Sequence, residues 1–288
     1  MKLYVKFLLN NKKKFLILFT ITIIGIYLSL PYLYYENDIN EKELESIMIS
    51  FFVEYPDKEL GNLKLIDFPT KLYIAANSLE EFNNIKTKIK NKYVKEIIYW
   101  PILNDERGYW LSPFTERNSL LKVIEETSNM TILWDAELPK KKWQILKRLF
   151  LFFKNKRSID ELFIKNGGRI YTAEYFPHSK LLDLLRLSFD PNKFNNKKIK
   201  MVYSSMHGYS ESVIRKELTY GKNKYGDNFI VAFGVLETGK RGNEPKIKSE
   251  ILERDLAIAK ELGINEVVIY RLGGLNSEYL GVIKKMHS

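Results

Sequence analysis

The 288-residue chain contains no cysteine, which excludes disulfide bonds, thiol nucleophiles and thiolate metal ligands. It also lacks a P-loop, a Ser-His-Asp pattern and the ligand spacing of a zinc site. The segment "YIAANS" at residues 73–78 ends an early strand-like run, and it is not the glycine-rich loop expected of a nucleotide-binding doubly wound sheet. The sequence therefore gives no sign of a serine hydrolase, a nucleotide-binding enzyme or a thiolate metal protein.

Basic residues are in excess, but much of the excess is local. The net charge is +11, and five lysines precede the first acidic residue of the chain. The rest of the chain carries 41 basic and 35 acidic residues, a mild excess that does not predict a nucleic-acid partner. Because 45% of the residues are hydrophobic, a chain of this length can bury one large core or two modest ones.

Residues 15–35, "FLILFTITIIGIYLSLPYLYY", contain no charged residue and are long enough to cross a bilayer as one helix. Lysines precede this segment, acidic residues follow it, and tyrosines gather at its far end. We predict that residues 1–14 are cytoplasmic, residues 15–35 span the lipid bilayer, and the remainder is extracytoplasmic. A cleaved signal peptide is the alternative, but no small-x-small cleavage site follows the apolar run.

Beyond a polar linker at residues 36–46, apolar strand-like runs alternate with amphipathic stretches to the end of the chain. Strands are predicted at residues 71–76, 94–100, 131–135, 169–174, 198–204, 229–236 and 266–272, with a weaker one at 47–55. Helices are predicted at residues 78–91, 116–128 and 248–262. This rhythm predicts an α/β fold, a single (β/α)8 TIM-like barrel over residues 47–288. An open doubly wound sheet is the alternative.

The stretch "ILWDAELP" ends the fourth predicted strand and carries two carboxylates, Asp135 and Glu137. Side chains alternate along a strand, so both carboxylates share a face with Leu133, which is expected to be a core position. In a barrel of eight strands they lie at the C-terminal rim, where the active sites of such barrels are built. The sequence therefore predicts a site here rather than two buried charges.

Other polar and aromatic side chains follow the predicted strands at the same rim. Exposed aromatic faces there are suited to stacking on sugar rings. We predict catalytic roles for Glu237 and Tyr203 beside the fourth-strand pair, with Tyr203 donating a hydrogen bond to a carboxylate or a sugar oxygen. The predicted substrate-binding residues are Trp100, Tyr109, Trp110, Trp134, Glu174, His207 and Arg271.

The fourth and sixth strands resemble those of the chitinase-like glycoside hydrolases, which end them in Asp-x-Glu and Met-x-Tyr-Asp. Here these motifs read Asp135-Ala136-Glu137 and Met201-Val202-Tyr203-Ser204, with one strand between them. The resemblance implies a barrel that acts on a polysaccharide or glycoconjugate. The chain departs from the family pattern at Met130, Leu133 and Ser204, positions where that family has aspartates. A second resemblance, to retaining barrel glycosidases, maps an acid onto Glu137 and a nucleophile onto Glu237, with Ala136 where those enzymes have an asparagine.

Glycoside hydrolysis needs a protonated carboxylic acid at the leaving oxygen and a second carboxylate for the developing positive charge or the covalent intermediate. Glu137 is the candidate acid. Asp135 lies close enough for like-charge repulsion to raise the pKa of one carboxyl group of the pair. This chemistry requires no cofactor and no metal ion.

Two other classes of function use the same residues. A divalent-metal enzyme, of the sugar isomerase or phosphodiesterase type, would take Glu137, Glu174, His207 and Glu237 as ligands, with "RLGGLN" after the last strand as a phosphate-binding turn. A noncatalytic glycan-binding barrel would keep the aromatic cleft without the acid chemistry, and Ser204 favours it.

The segment at residues 140–157, "KKKWQILKRLFLFFKNKR", combines basic residues with aromatic residues at helical spacing. The pattern predicts an outer helix of the barrel. Its apolar residues spread more widely than one stripe, so contact with a bilayer is the second interpretation.

Overall fold

The computed structural model describes residues 47–176 and 179–286, which form a closed barrel of eight parallel strands. Each strand pairs with the next along the chain, and the last pairs with the first, which confirms the predicted barrel and its weak first strand. The strands are β1 (Met48–Val53), β2 (Thr70–Ala76), β3 (Val94–Pro101), β4 (Ile132–Asp135), β5 (Ile170–Glu174), β6 (Lys197–Met201), β7 (Phe229–Gly234) and β8 (Glu266–Tyr270).

Helices lie between successive strands and after the last one. The helices are α1 (Pro56–Glu59), α2 (Leu79–Lys88), α3 (Arg117–Thr127), α4 (Lys142–Lys147), α5 (Phe152–Asn166), α6 (Lys180–Leu184), α7 (Pro191–Phe194), α8 (Ser204–His207), α9 (Glu211–Tyr225), α10 (Ser249–Glu261) and α11 (Ser277–Lys285). Short 3-10 turns lie at Leu60–Leu65, Asp105–Arg107, Leu149–Leu151, Gly167–Arg169, Gly226–Asn228 and Leu272–Gly274.

The predicted membrane span, the segment before it and the linker after it lie outside the described residues. Within residues 47–176 and 179–286, no helix is both long enough and apolar enough to cross a bilayer.

Local sequence signals account for the ends of the predicted helices. Ser78 caps α2 by accepting a hydrogen bond from the backbone N–H of Glu81, and the Glu81 carboxylate accepts in return from the backbone N–H of Asn77. Glu116 caps α3 through two backbone N–H groups of the first turn. After α10 the chain reverses at Gly263, whose φ of +64° is easily adopted by glycine.

Alternation along the strands divides the core into two layers. The inner layer fills the barrel and includes Phe52, Tyr73, Trp100 and Leu133. Phe52 packs against Tyr73 and Trp100 with ring centroids 5.6 and 5.5 Å apart. The outer layer lies between the strands and the helices. Each strand position therefore faces either the barrel interior or a helix.

Trp134 belongs to the outer layer, so the prediction that it lines a sugar-binding cleft is wrong. It is fully buried and packs edge-on against Phe163 of α5, with ring centroids 5.6 Å apart. Phe163 in turn stacks on Phe189 at 3.8 Å. The physical reason is the alternation itself, since the neighbour of an inward Asp135 on the same strand must face outward.

Glu174 also faces outward, away from the barrel mouth, so it does not join the predicted cleft. Its carboxylate accepts hydrogen bonds from Lys198 Nζ at 2.9 Å, Thr172 Oγ1 at 2.7 Å and the backbone N–H of Phe189 at 2.9 Å. Lys198 is buried too, so the ion pair joins β5 to β6 beneath the helices. Hydrogen bonds from three elements explain how the buried charge is tolerated.

Lys200, on the same outer face of β6, has no such partner among the described residues. It is 1% exposed, and burial lowers the pKa of its ammonium group to about 8, although the carboxylate of Glu217 on α9 acts in the opposite direction. The outer face of β6 thus carries two buried lysines, one paired and one not.

The predicted single helix at residues 140–157 is broken into α4, a 3-10 turn and the start of α5. The break lies at Arg148, whose φ of −106° and ψ of 8° leave the helical region. Its guanidinium group donates to the backbone carbonyls of Glu106, Arg107 and Phe114, which fixes the side chain inside the protein.

Replacement of Trp134 by alanine should lower the free energy of unfolding by about 3–5 kcal/mol, because the change leaves a cavity between β4 and α5. Trp143 of α4 is 48% exposed, so Trp143→Ala is the matched control and should change stability by less than about 0.5 kcal/mol. Urea unfolding followed by circular dichroism measures both. Equal stability of the two variants would contradict the outward placement of Trp134.

Candidate active site

Three carboxylates point into the barrel at the C-terminal ends of its strands. Glu54 follows β1, Asp135 ends β4, and Glu137 lies two residues beyond it. All three are buried, with 3%, 3% and 8% of their surface exposed. The backbone of β4 is held at this point because the Leu111 N–H donates to the Asp135 carbonyl and the Ala136 N–H donates to the Ala173 carbonyl. The predicted pair is thus at the mouth of the barrel, as expected.

The carboxyl group of Asp135 is buried near the other two carboxylates. Burial raises the pKa of its carboxyl group well above the ordinary value, and the negative charges of Glu137 and Glu54 raise it further. Arg241 and the indole of Trp100 act in the opposite direction. Among the described residues, neither Asp135 Oδ1 nor Trp100 Nε1 has a hydrogen-bond partner. The two groups therefore lie close to each other without a well-oriented hydrogen bond, and burial favours the protonated form of the carboxyl group.

Glu137 is held by two side chains from other parts of the chain. The hydroxyl of Tyr175 donates to Glu137 Oε2 at 2.8 Å, and Arg241 Nη2 donates to the same oxygen at 2.5 Å. Arg241 also donates to the Tyr175 hydroxyl at 3.1 Å, which closes a three-membered network. The burial of Tyr175 and the nearby charge of Glu137 raise the pKa of its phenol, so Tyr175 remains a donor.

Glu54 is the carboxylate that the sequence analysis missed. It accepts hydrogen bonds from the Tyr109 hydroxyl at 2.8 Å and from the Tyr270 hydroxyl at 2.6 Å. Burial nevertheless raises the pKa of Glu54 above its ordinary value. A Cβ atom added at Gly239 would lie 1.5 Å from the Tyr270 hydroxyl and 2.8 Å from Glu54 Oε2, so the loop after β7 can approach only with glycine there.

Tyr203 lies just beyond the end of β6 and faces the same carboxylates. Its ring packs on Tyr270 with centroids 5.6 Å apart. Burial, followed by the charges of Asp135, Glu137 and Glu54, raises the pKa of the Tyr203 phenol well above its ordinary value. The hydroxyl is therefore neutral and available as a donor.

Tyr109 and Trp110 lie in the loop after β3, where both are buried and pack edge-to-face with centroids 5.1 Å apart. The loop after β7 covers them with two cations. Lys240 Nζ lies 4.5 Å from the centre of the Tyr109 ring, and the Arg241 guanidinium lies 5.0 Å from the Trp110 ring. Lys240 also forms an ion pair with Asp105 at 2.8 Å. These contacts join the two loops across the barrel mouth.

Three of the predicted site residues have partners outside the carboxylate cluster. Glu237, on the loop after β7, forms an ion pair with Lys246 at 2.6 Å, which lowers the pKa of Glu237. Arg271 is buried and forms an ion pair with Glu59 at the end of α1. His207 ends the short helix α8 with its ring exposed and 5.2 Å from that of Tyr209.

The structure therefore brings together five of the predicted residues and adds four others; the predicted ones are Asp135, Glu137, Tyr203, Trp100 and Tyr109, and the added ones are Glu54, Tyr175, Tyr270 and Arg241. Strand alternation would have indicated Glu54, which is two residues after the inward Phe52, and Tyr175, which is two residues after the inward Ala173. Arg241 had no such signal, because it comes from a loop distant in sequence.

The fold is that of known glycoside hydrolases. No family model matches the sequence, and no curated protein matches it significantly. Among solved structures, the glycoside hydrolase domain of PgaB (BpsB) from Bordetella bronchiseptica has a TM-score of 0.52 at 13% identity, covering 84% of this chain and 99% of that one. The spore cortex-lytic enzyme SleL from Bacillus cereus has a TM-score of 0.53 at 10% identity, covering 90% of this chain and 79% of that one.

A class V chitinase from Pseudomonas fluorescens has a TM-score of 0.50 at 9% identity, covering 84% of this chain and 100% of its own. The predicted likeness to chitinase-like barrels is thus confirmed at the level of the fold. At the departure from the family motif, Ser204 Oγ donates to Asp255 of α10 at 2.6 Å, so this side chain contacts a helix.

Replacement of Asp135 by asparagine should stabilise the protein at neutral pH. A buried acid with a raised pKa binds more protons in the folded state, so its contribution to stability is present below the ordinary aspartate pKa of about 3.9 and is lost as the pH rises through the folded pKa. Asp135→Asn removes this loss. Urea unfolding between pH 4 and pH 8 should therefore show a gain in stability that grows with pH.

Glu237→Gln is the control, and its stability at neutral pH should change in the opposite direction. Lys246 lowers the pKa of Glu237, so this carboxylate contributes stability above its ordinary pKa and the variant should lose a small amount at neutral pH. Identical pH dependence in the parent and in Asp135→Asn would show that Asp135 does not titrate as a buried group.

Proposed function

We propose that this protein is a glycoside hydrolase that acts on a glycan of the cell envelope through carboxylate acid and base chemistry. The observation that carries the proposal is the convergence of Glu54, Asp135 and Glu137 at the mouth of a barrel whose fold is shared with glycoside hydrolases. The mouths of such barrels hold active sites in characterised enzymes.

Glu137 is the proposed acid, which donates a proton to the leaving oxygen of the glycosidic bond. Its Oε2 atom is occupied by Tyr175 and Arg241, so a substrate that uses this oxygen must displace Arg241. Burial and the neighbouring carboxylates raise the pKa of Asp135, which favours its protonated form relative to an exposed aspartate. Glu54 and Asp135 are the candidates for the second carboxylate, which stabilises positive charge at the sugar ring.

The same cluster is suited to binding a polyhydroxylated ligand. Asp135 Oδ1 and Trp100 Nε1 lie close to each other but form no well-oriented hydrogen bond among the described residues, so a sugar hydroxyl or amide can contact both. The hydroxyls of Tyr175 and Tyr203 add donors, and the rings of Tyr203 and Tyr270 add apolar surface. This combination of aromatic rings and fixed polar groups is typical of small-molecule and sugar sites.

The proposed place of action is the outer side of the cell membrane. The apolar residues 15–35 are the proposed anchor, residues 1–14 the cytoplasmic side, and residues 36–46 a linker to the barrel domain at residues 47–288. A glycan of the cell envelope is then the substrate within reach.

Most of the ligands predicted for the metal-dependent alternative lie outside the carboxylate cluster. Glu174 faces the helices, Glu237 pairs with Lys246, and His207 is exposed at the end of α8. The "RLGG" turn is held by packing, since a Cβ atom at Gly274 would lie 2.4 Å from the Leu236 backbone. The noncatalytic glycan-binding barrel remains the second candidate, because Arg241 covers Glu137 and Ser204 replaces the motif aspartate.

Replacement of Glu137 by glutamine should keep the shape of the site but slow turnover by about 10² or more, because the side chain no longer donates a proton. The measurement is hydrolysis of envelope glycans by the detergent-solubilised chain, with and without a chelator. Glu237→Gln is the matched control and should act at the parent rate, since Glu237 lies outside the cluster. Full activity of Glu137→Gln would remove the catalytic assignment, and binding without turnover in the parent would favour the noncatalytic barrel.

Protease added to intact cells should digest the barrel domain, because the proposed orientation places it outside the membrane. Immunoblotting against a C-terminal tag before and after lysis measures this. A tag that stays protected until the cells are lysed would reverse the orientation.

A further inference from the structure

The segment formed by α4, the following 3-10 turn and the first turns of α5 has its polar and apolar faces reversed. Its buried side carries Phe152, which packs on Phe114, and three polar side chains that donate to backbone carbonyls of the loop after β3. Gln144 Nε2 donates to the carbonyls of Asp105 and Glu106, and Asn155 Nδ2 donates to those of Pro113 and Thr115. Arg148 lies between them and donates to the same loop. A surface helix of a water-soluble protein usually shows the opposite arrangement.

The outward face of the same segment carries large apolar side chains. Trp143, Leu146, Phe150 and Phe153 are 48%, 62%, 76% and 79% exposed. They recur at intervals of three and four residues, and their exposure places all four on the outer side of the segment, although the helix is broken at Arg148. We call these four residues the apolar ridge. A contiguous exposed apolar patch of this kind marks an interaction surface in soluble proteins.

Basic residues predominate along the segment, and its acidic neighbour Glu106, on the loop after β3, forms an ion pair with Lys141. No acidic residue lies between Glu137 and Asp160 in the sequence. Lys142, Lys147 and Lys154 are exposed beside the ridge, and Lys147 Nζ lies 5.5 Å from the ring of Trp143. Long lysine side chains can lie along an apolar surface and place their ammonium groups at its edge. The ridge therefore forms an apolar centre with a cationic border.

We propose that the apolar ridge docks on the surface of an anionic lipid bilayer. Aromatic and leucine side chains enter the boundary between headgroups and acyl chains, while the lysines remain at the level of the anionic headgroups. A second copy of the chain is a poorer partner, because pairing two identical ridges brings the two cationic borders together. This surface is distinct in sequence from the proposed anchor at residues 15–35, and its proposed role does not depend on catalysis.

Docking at this surface involves a loop of the candidate active site. The carbonyls bound by the buried polar face belong to residues 105–115, the loop that carries Tyr109 and Trp110. Tyr109 donates to Glu54, and Asp105 pairs with Lys240 on the loop after β7. The ridge is therefore fixed to the rim of the barrel mouth, and docking would hold that mouth beside the membrane.

The fluorescence of Trp143 allows a direct test in the full-length chain. The other three tryptophans of the chain are buried, with at most 4% of their surface exposed. The chain is reconstituted in phosphatidylcholine vesicles with or without phosphatidylglycerol, and quenching is measured with lipids brominated near the headgroup and with aqueous acrylamide. We expect brominated lipid to quench the fluorescence of Trp143 and anionic vesicles to protect Trp143 from acrylamide. Added salt should weaken both effects. Trp143→Phe should abolish the lipid-dependent signal.

The charge requirement is tested by changing Lys142, Lys147 and Lys154 together to glutamine. We expect the preference of the ridge for anionic over neutral vesicles, measured by the quenching of Trp143, to fall about tenfold or more. Each lysine near the surface contributes to the attraction. The matched control changes three exposed lysines of the α2 region, Lys86, Lys88 and Lys90, to glutamine and should keep the parent preference.

Each alternative outcome overturns the proposal in a recognisable way. Acrylamide quenching that is unchanged by vesicles would show that the ridge stays in water. Protection from both acrylamide and brominated lipid would show that protein covers the ridge, either a second copy or another segment of the chain. Equal quenching in neutral and anionic vesicles would show that anionic headgroups do not attract the ridge, which would overturn docking on an anionic bilayer.

Discussion

The two-residue alternation of side chains along eight closed parallel strands is the constraint on which this structure depends. In β4 it sends Leu133 and Asp135 into the barrel and Trp134 toward the helices. The same rule sends Glu54 inward and Glu174 outward on other strands. A shift of one residue in β1 or β4 would turn a carboxylate of the barrel mouth toward the helices, and a shift in β5 would turn Glu174 into the barrel.

Two of the three carboxylates at the mouth, Glu54 and Glu137, are stabilised by neutral phenol donors. Tyr109 and Tyr270 donate to Glu54, and Tyr175 donates to Glu137. Phenols whose pKa is raised by burial remain protonated and can stabilise negative charge without adding a positive one. Among residues 47–176 and 179–286, a cation contacts only Glu137 of the three carboxylates directly, through Arg241 of the loop after β7. The chemistry of the site therefore depends on that loop more than on any strand.

The sequence was sufficient for the barrel and for Asp135 and Glu137, because periodic apolar runs and strand alternation are local properties. Trp134 was misplaced although alternation relative to Asp135 already indicated its outward direction. Glu174 was misplaced because the end of a strand does not by itself show which face its last residue takes. Arg241 reaches Glu137 from 104 positions further along the chain, and the folded loop that brings it there has no periodic pattern to predict it.

The unpaired lysine on the outside of β6 affects how the barrel responds to alkali. Lys200 is disfavoured as an ammonium ion in the folded state, whereas the unfolded chain protonates it up to its ordinary pKa of about 10.4. The folded state therefore gains stability from this group as the pH rises above about 8. Asp135 has the opposite effect, because its raised pKa makes the folded state lose stability as the pH rises from acidic values. The charged form of Lys200 is therefore the one that costs stability on the outside of the barrel wall, and mild alkali removes that cost.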